Sequence, residues 1–493
     1  MADDNNNNHN HHDGMPGFQD IPVSLLHSAD TMAVDRLDRA VNHLNRQHPD
    51  ISATNPKQIL AVELLVFSFF TLFASYLLFP VHASIAVACA CLIMVLNETV
   101  CLSRHGPKNP APVEVSDKKL PTYTILLPLF KEANMVTQLI SAMAHLNYPP
   151  DRLEIFFITE EEDHDTLAAI RAGLASGPIE AKAEVIIVPK GHPQTKPRAC
   201  NYALTFATGS LIVIYDAEDM PHPDQLREAG GIFATHPEDK ICLQAPLIVQ
   251  DRNYDWLGLL MAVNYTTQFN LQMPVNASIG LPVFFGGTSN HMRLRDLADA
   301  GGWDAFNVTE DAELSLRMVK RGFTINMLAQ PTFETATRGL KNHFTQRCRW
   351  QKGSFQTLVA HYGSMSRSAL NPVQVAHVAL TLLNRIISPL FYMLLLLSMV
   401  MTQVSPLDPT NFSGRVIIFC LAMLIILNLV ACFRQQRFGL IFALPLLPFH
   451  WLFLSLTFIF ALVQLMTKPS YWNKTPHTRF AGGLIPPNRG DGR

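Results

Sequence analysis

The chain has 493 residues, a length that accommodates two to four domains. Its 38 basic and 40 acidic residues leave a formal net charge of −2, which argues against a nucleic-acid-binding protein held by bulk charge. Hydrophobic residues make up 48% and charged residues 16%, proportions that favour a protein partly embedded in lipid.

Two apolar runs follow a polar N-terminal region. Residues 1–55 are polar, and we expect a disordered tail there. The runs at residues 59–79 and 81–102 are each long enough to cross a hydrocarbon core of roughly 30 Å, so residues 56–103 predict a transmembrane hairpin. Basic residues flank the hairpin but do not occur at its tip, so the positive-inside rule predicts a cytoplasmic N-terminus and a cytoplasmic following domain.

Residues 120–340 alternate short apolar segments with helical stretches. The segments that we interpret as buried strands are 123–129, 153–159, 183–188 and 210–215, and the helical stretches include 135–145 and 166–174. Near-continuous apolar strands separated by helices indicate a mostly parallel sheet covered on both faces. Ligands of such sheets bind beyond the carboxyl ends of the strands.

Residues 341–467 return to a membrane-associated pattern. Residues 341–370 are typical of a basic, interfacial amphipathic helix. The apolar runs after it are 373–402, 416–433 and 439–466. Five crossings in all would put the C-terminus outside, yet Lys468 and Lys474 favour the inside. Since the last run also contains Pro445 and Pro448, we predict four spans, with 439–466 as a bent, partly interfacial segment; hydropathy alone gives five.

Three carboxylates follow the fourth predicted strand within four residues, at Asp216, Glu218 and Asp219. A divalent cation would relieve their mutual repulsion, and oxygen ligands suit Mg²⁺ or Mn²⁺. Such a metal would in turn neutralise the diphosphate of a substrate. The alternative interpretation is an acidic turn in solvent.

Thr309, Glu310 and Asp311 begin a predicted helix. A threonine N-cap with acids in the first turn stabilises a helix by itself, so one interpretation is purely structural. The other is that a carboxylate here acts as a general base, which takes the proton of a sugar hydroxyl during displacement at the anomeric carbon.

Gln346, Arg349 and Trp350 lie on the basic helical segment. Their side chains could give a sugar ring a stacking face and could hydrogen-bond a leaving diphosphate. The alternative is an amphipathic helix that rests on anionic lipid.

Two segments before the carboxylates are candidates for contacts with a nucleotide. Lys196 or Arg198, in a segment that also contains Asn201, could meet phosphate oxygens. The acidic segment that begins at Glu160 and Glu161 could hold a base or ribose edge. The alternative for the acidic segment is a solvated loop.

In chain order, these motifs resemble family 2 glycosyltransferases of the membrane-embedded, processive type. The resemblance is to the synthases of cellulose, chitin, hyaluronan and poly-N-acetylglucosamine, and the pattern is also similar to the transferase domain of the phage N4 adsorption protein B group. It extends over about residues 55–480. It implies an α/β GT-A (nucleotide-diphospho-sugar transferase) domain inserted between α-helical transmembrane segments.

The resemblance also implies roles for individual residues. Asp311 would be the catalytic base, with Thr309 and Glu310 shaping the acceptor end. Substrate-binding roles would fall to Glu160, Glu161, Lys196, Asn201, Asp216, Thr288, Gln346, Arg349, Trp350, Trp472, Lys474 and Thr475. Metal-binding roles would fall to Asp216, Glu218 and Asp219.

Two of these assignments depend on short segments that are compared with motifs of the family. Residues 160–161 stand where the family usually has Asp-Asp-Gly. Residues 472–475 are similar to the gating loop of hyaluronan and chitin synthases, which closes over the bound nucleotide. Such a loop must be cytoplasmic, which is a second reason to expect four spans. Residues 468–493 would then be a gating loop and tail.

The resemblance implies an inverting, processive glycosyltransferase that polymerises a β-linked polysaccharide from a nucleotide-sugar, with a UDP-sugar as the expected donor. It implies export of the product by a multi-pass protein of the cytoplasmic membrane whose catalytic domain faces the cytoplasm. Mg²⁺ or Mn²⁺ is the expected cofactor. Expected partners are the donor, the growing glycan acceptor, membrane lipid and a periplasmic or outer-membrane export partner, with no nucleic acid.

Three other functions fit parts of the pattern. A non-processive transferase that moves one sugar onto a polyprenyl phosphate or another lipid would share the fold and most motifs. Spans on both sides of the domain, together with Gln-x-x-Arg-Trp, favour the processive type. A catalytically inactive scaffold or phage receptor would not need Asp216, Asp311 and Trp350, and a small-solute transporter would not need the α/β domain.

Overall fold

The computed structural model describes residues 80–104, 115–250, 254–401, 410–472 and 474, together with isolated positions before residue 80. Apart from those positions, the predicted N-terminal tail and the first apolar run, residues 59–79, lie outside the described residues. Thr475 and the chain after it lie outside them as well.

The elements follow one another in α/β order over the middle of the chain. The strands are β1 (Tyr123–Leu129), β2 (Leu153–Glu160), β3 (Lys182–Val188), β4 (Leu211–Ile214), β5 (Met220–Pro221), β6 (Ile241–Gln244), β7 (Leu247–Val249), β8 (Asn290–Arg293), β9 (Thr324–Met327) and β10 (Thr332–Glu334). The helices are α1 (Pro80–Thr99), α2 (Val136–Ala144), α3 (His164–Ala175), α4 (Lys196–Leu204), α5 (Gln225–Thr235), α6 (Trp256–Thr267), α7 (Met273–Ser278), α8 (Leu294–Asp299), α9 (Glu310–Lys320), α10 (Leu340–Tyr362), α11 (Pro372–Met401), α12 (Phe412–Arg434) and α13 (Leu447–Thr467).

A seven-stranded sheet organises the α/β domain, with strand order β3-β2-β1-β4-β8-β6-β9. Strands β1, β2, β3 and β4 are parallel, and β8 runs antiparallel to both β4 and β6. Every residue of β2 and β4 is buried, because helices cover both faces of the sheet. The predicted α/β fold with a mostly parallel sheet is therefore confirmed. The parallel strands end at a common edge, and this edge is where the site lies.

Long apolar helices flank the α/β domain. Within the described part of the chain, three segments are long and apolar enough to cross a membrane by length and composition: Ile85–Ser103, Phe412–Arg434 and Phe438–Thr467. Helix α1 packs against α11 and α12, and α13 packs against α10 and α11. The long apolar helices therefore pack against one another, and α10 connects them to the α/β domain.

The last apolar segment begins and ends beside the α/β domain. Just before it, Arg437 donates hydrogen bonds to the Val249 carbonyl (2.8 Å) and to the Thr266 hydroxyl (3.1 Å). Just after it, Lys352 of α10 donates to the carbonyls of Lys468 (3.2 Å) and Tyr471 (2.8 Å). Between these ends the segment is a 3₁₀ stretch, Phe438–Leu446, that continues into α13.

Candidate functional site

A cavity of about 1280 Å³ lies at the carboxyl ends of β1, β2 and β4. On the sheet side its wall includes Thr159 and Asp216. On the opposite side it extends between α1, α11 and α12, where Glu98, Arg385 and Asn428 line it. The same space is therefore bordered by the α/β domain and by the apolar helices.

Most of the predicted site residues converge on this cavity. Those that line it are Glu160, Lys196, Asp216, Glu218, Thr288, Thr309, Glu310, Asp311, Gln346, Arg349, Trp350, Trp472 and Lys474. Glu161, Asn201 and Asp219 are not among the lining residues. Side chains from segments more than three hundred residues apart thus face one space, as their order in the sequence predicted.

Lys196 supplies a positive charge at the sheet end of the cavity. It is the first residue of α4, which Thr195 caps by accepting a hydrogen bond from the Arg198 amide. The Lys196 ammonium forms an ion pair with Asp216 and donates to the Gly287 carbonyl (2.7 Å). Burial alone would lower the pKa of Lys196, but the Asp216 and Glu310 carboxylates raise it above its usual value. The lysine therefore stays charged where a phosphate could bind.

Asp219 lies beneath the cavity wall. Its carboxylate accepts hydrogen bonds from the Asp216 amide (2.6 Å) and the Thr288 hydroxyl, so it stabilises the turn after β4. Burial, with Glu334 and the two neighbouring acids, raises the pKa of Asp219 well above its usual value. The turn thus points two of its three carboxylates, Asp216 and Glu218, into the cavity.

The predicted metal site is reduced to these two carboxylates. Among the described residues, no group of three or more His, Cys, Asp or Glu side chains is placed to hold a metal by itself. Mg²⁺ and Mn²⁺ sites are commonly completed by substrate phosphates and water around one or two carboxylates. Asp216 and Glu218 fit that kind of site, in which the metal binds together with a diphosphate.

The Thr309–Glu310–Asp311 turn lies where α9 begins. Thr309 occupies the position before the helix, but its side chain makes no capping hydrogen bond, so of the structural interpretation only the acids in the first turn are present. Burial and the adjacent Asp311 raise the pKa of Glu310 to about 7, and burial also raises the pKa of Asp311. A carboxylate whose pKa is raised towards neutrality is suited to accept a proton.

A buried ionic network fixes α9 against α10. Glu313 forms an ion pair with Arg317 (2.5 Å) and contacts His361 of α10 (2.9 Å). Burial opposes the ionisation of Glu313, but Arg317 and His361 hold its pKa at about 2. Arg317 also donates to the Gly302 carbonyl (2.8 Å). Since removing one partner of a buried pair is strongly destabilising, the network holds the Asp311 helix in one position.

Gly353 lets α10 approach the Thr309–Asp311 turn closely. A Cβ at this position would overlap the Thr309 side chain. One helical turn further on, Gln356 accepts a hydrogen bond from the Val308 amide (3.1 Å), and Thr357 accepts one from Asn307 (3.3 Å). The helix that carries Gln346, Arg349 and Trp350 is thereby held against the turn that carries Asp311.

The segment after α13 covers one side of the cavity. The guanidinium of Arg349 lies 4.6 Å from the centre of the Trp472 ring, and Lys474 forms an ion pair with Glu132 (3.1 Å). Arg347 stacks in the same way on Trp350, at 4.3 Å. Trp472 and Lys474 therefore lie at the cavity, while Thr475 is outside the described residues.

Three of the predicted nucleotide-binding residues make structural contacts. The buried Asn201 side chain accepts a hydrogen bond from the Trp303 backbone amide (2.9 Å) and donates one to the Trp303 backbone carbonyl (2.7 Å). Glu161 accepts from the Lys190 amide (3.3 Å). Glu160 lines the cavity but is paired with the fully buried Arg198 (2.5 Å), and burial raises the pKa of Glu160 to about 7 despite that pair.

Among the charged residues of the cavity wall, Glu98, Glu334 and Arg385 were absent from the sequence-based site. Glu98 and Arg385 each interrupt an apolar run, and an ionisable residue in such a run is a signal for function. That signal was available and could have identified both residues. Glu334 follows no recognisable motif, and only the fold brings it to the cavity.

Comparisons with known proteins agree with this geometry. Residues 211–472 match the family described as glycosyl transferase family group 2. The chain is 27% identical to the cellulose synthase 1 catalytic subunit of Komagataeibacter xylinus over 254 residues, which covers 50% of this chain and 32% of that protein. It is 25% identical to the probable glycosyltransferase YdaM of Bacillus subtilis over 251 residues, which covers 48% of this chain and 56% of that protein.

A solved structure shares the fold. The mannosyltransferase PcManGT of Pyrobaculum calidifontis, determined in complex with GDP-Man and Mn²⁺, superposes with a TM-score of 0.51 at 18% identity and covers 78% of this chain and 98% of that one. The family match spans more than half of the 493 residues. The chain therefore belongs to the glycosyl transferase family group 2 and is a glycosyltransferase.

The close approach at Gly353 can be tested with Gly353→Ala. The added methyl group should push the Thr309–Asp311 turn away, reduce sugar transfer at least about tenfold and lower stability by about 1–3 kcal/mol, the usual effect of overpacking. Transfer rate and thermal unfolding would be measured on the purified protein. Gly363→Ala is the matched control, because nothing lies within 4 Å of a Cβ at Gly363. Equal behaviour of the two variants would mean that this contact does not position the turn.

Proposed function

We propose that this member of the family is an inverting, processive glycosyltransferase, which extends a β-linked glycan from a nucleotide-sugar and passes it between its membrane helices. The observation that carries the proposal is the continuity of the cavity. It joins Asp216 and Asp311 in the α/β domain to Glu98 and Asn428 on the apolar helices. A polar polymer needs such a protein-lined path, because lipid offers its hydroxyl groups no hydrogen-bond partners.

The donor would bind at the sheet end of the cavity. Lys196 would contact the diphosphate, and Asp216 with Glu218 would hold Mg²⁺ or Mn²⁺ against it. The metal would stabilise the charge that develops on the leaving nucleoside diphosphate. The paired Arg349 and Trp472 would cover the bound donor and exclude water, which limits hydrolysis.

Asp311 would act on the acceptor. Its carboxylate would take the proton of the attacking sugar hydroxyl as that oxygen forms a bond to the anomeric carbon. The bond from the anomeric carbon to the diphosphate oxygen breaks at the same time, so the configuration inverts. The network of Glu313, Arg317 and His361 would position the base without touching the sugar.

We also propose that Phe438–Thr467 does not cross the membrane but lies along its cytoplasmic surface. Both ends of this segment contact the α/β domain or α10, and Gln351 of α10 donates to the Leu454 carbonyl (3.0 Å) near its middle. Side chains such as Phe442, Phe449 and Val463 are more than half exposed and would face lipid. Its length and composition would also permit a crossing, so the contacts at its ends are what favour an interfacial position.

Asp311→Asn tests the catalytic assignment. Transfer from a panel of radiolabelled UDP- and GDP-sugars, with Mg²⁺ or Mn²⁺, should fall by more than about 100-fold, because a general base contributes at least that much. Nucleotide binding should remain. Asp151→Asn, at an exposed position that does not line the cavity, is the matched control. Activity within about tenfold of the wild type would reject Asp311 as the base, and label found only in lipid-extractable product would indicate a lipid acceptor instead of a polymer.

The pH dependence of transfer provides a second test. Because burial raises the pKa of Asp311 and brings that of Glu310 to about 7, protonation should slow transfer as the pH falls through 7 and towards the ordinary carboxylate range. In Glu310→Gln the step near pH 7 should disappear and leave one acid limb at lower pH. The measurement is a pH–rate profile at saturating donor. A rate that stays constant as the pH falls through this range would contradict the assignment.

Reporter fusions test the topology. Alkaline phosphatase and a fluorescent protein would be fused after Gln436 and after Lys474, on either side of the interfacial segment. Both positions should report the cytoplasm, and a fusion after Thr410, between α11 and α12, should report the opposite side. Opposite signals at Gln436 and Lys474 would show that the segment crosses.

A further inference from the structure

Arg385 lies on the membrane side of the cavity, opposite the donor residues. It belongs to α11, and its guanidinium stacks over the Phe284 ring at 5.4 Å from the ring centre. Its side chain is half-buried and lines the same space as Asp311. Phe284 comes from the loop before β8, so Arg385 lies where the apolar helices meet the α/β domain.

The polar neighbours of Arg385 are already engaged with one another. The Glu98 carboxylate accepts from Gln272 (2.6 Å) and from Asn384 (3.0 Å), and Ser388 bonds to Asn384. These contacts join α1, α11 and the helical turn after α6. The amide and hydroxyl groups beside Arg385 therefore already have hydrogen-bond partners within the wall of the cavity.

The guanidinium of Arg385 makes no comparable contact with the described residues. Among the described residues, none accepts a hydrogen bond from it and no carboxylate lies within ion-pair distance. Asp311 and Glu98 are near enough to act on its charge, yet neither forms a contact pair with it. A guanidinium between apolar helices is costly unless it meets a partner, so its open donors indicate a ligand.

The chemistry of the guanidinium limits the kinds of ligand that Arg385 can bind. A guanidinium presents a planar fork of donors that matches a carboxylate or a phosphate in a bidentate way. A neutral sugar hydroxyl can accept a single hydrogen bond from a guanidinium, but only an oxyanion binds both arms of the fork and also neutralises its charge. Because Lys196 and Asp216 hold the donor end, a ligand that reaches both Arg385 and Asp311 lies at the acceptor end.

We propose that Arg385 binds an oxyanion carried by the acceptor, so that the enzyme extends an acidic acceptor in preference to a neutral one. The oxyanion is either a hexuronate carboxylate in the glycan or the phosphate of a lipid-linked acceptor. This inference depends on the proposed function, since it concerns the acceptor of the same reaction. It adds the requirement that the acceptor carries a negative charge. The transfer mechanism alone does not require this.

The test compares acceptors in the purified full-length protein. Wild type, Arg385→Gln and Arg385→Lys would receive a hexuronate-containing oligosaccharide, a neutral oligosaccharide of the same length and a polyprenyl phosphate, each with the active donor. Arg385→Gln should raise KM for the preferred acidic acceptor roughly 10- to 100-fold, the effect of losing a charged hydrogen bond. KM for the donor should not change. Arg385→Lys should recover only part of the loss, because it keeps the charge and loses the fork.

Controls separate this inference from the proposed function. Arg367→Gln makes the same substitution at an exposed position away from the cavity and should leave every KM unchanged. A wild-type preference for the neutral oligosaccharide, or an equal loss of kcat with all three acceptors in Arg385→Gln, would overturn the inference. If no donor turns over at all, the proposed function fails. Direct binding of the three acceptors to wild type and Arg385→Gln then still decides the role of Arg385.

Discussion

The contact between α10 and the turn before α9 determines how the site is assembled. Because position 353 is glycine, the two backbones come close enough for Gln356 to bond the Val308 amide. The same helix carries Arg349 and Trp350 into the cavity, and through Lys352 it also holds the chain after α13. One helix therefore sets the distances between Asp311, the side chains of Arg349 and Trp350, and the segment that covers the cavity. A small displacement of α10 would alter all three at once.

Much of the fold followed from the amino-acid sequence, because the strands are buried on both faces. Strand β1 occupies the predicted residues 123–129, and β2 and β3 differ from the prediction by one residue at one end. A short, near-continuous apolar segment between turn residues is what a parallel strand covered on both faces requires, so its two ends can be located in the sequence. The late strands β6 to β10 were not predicted, because they are only three or four residues long and carry too few side chains for a clear period.

The candidate site was predictable in outline but not in the direction of each side chain. The order of motifs identified the segments that meet at the cavity, yet only Glu218 of the pair Glu218 and Asp219 faces it. That choice depends on which carboxylate accepts the Asp216 amide hydrogen bond, and a run of acids contains no such information. Asn201 likewise meets Trp303, a partner about a hundred residues away that only the folded chain brings near.

The ion pair between Lys196 and Asp216 has a thermodynamic consequence for the order of binding. In the proposed mechanism, a divalent cation that arrived alone would compete for the Asp216 carboxylate with the Lys196 ammonium group, which is already in contact with it. A diphosphate offers that ammonium a new partner and leaves Asp216 open to the cation. Each ligand therefore makes the other's binding more favourable, and by reciprocity the two coupling energies are equal. The proposed mechanism therefore implies that metal and donor would bind cooperatively, each with lower affinity in the absence of the other.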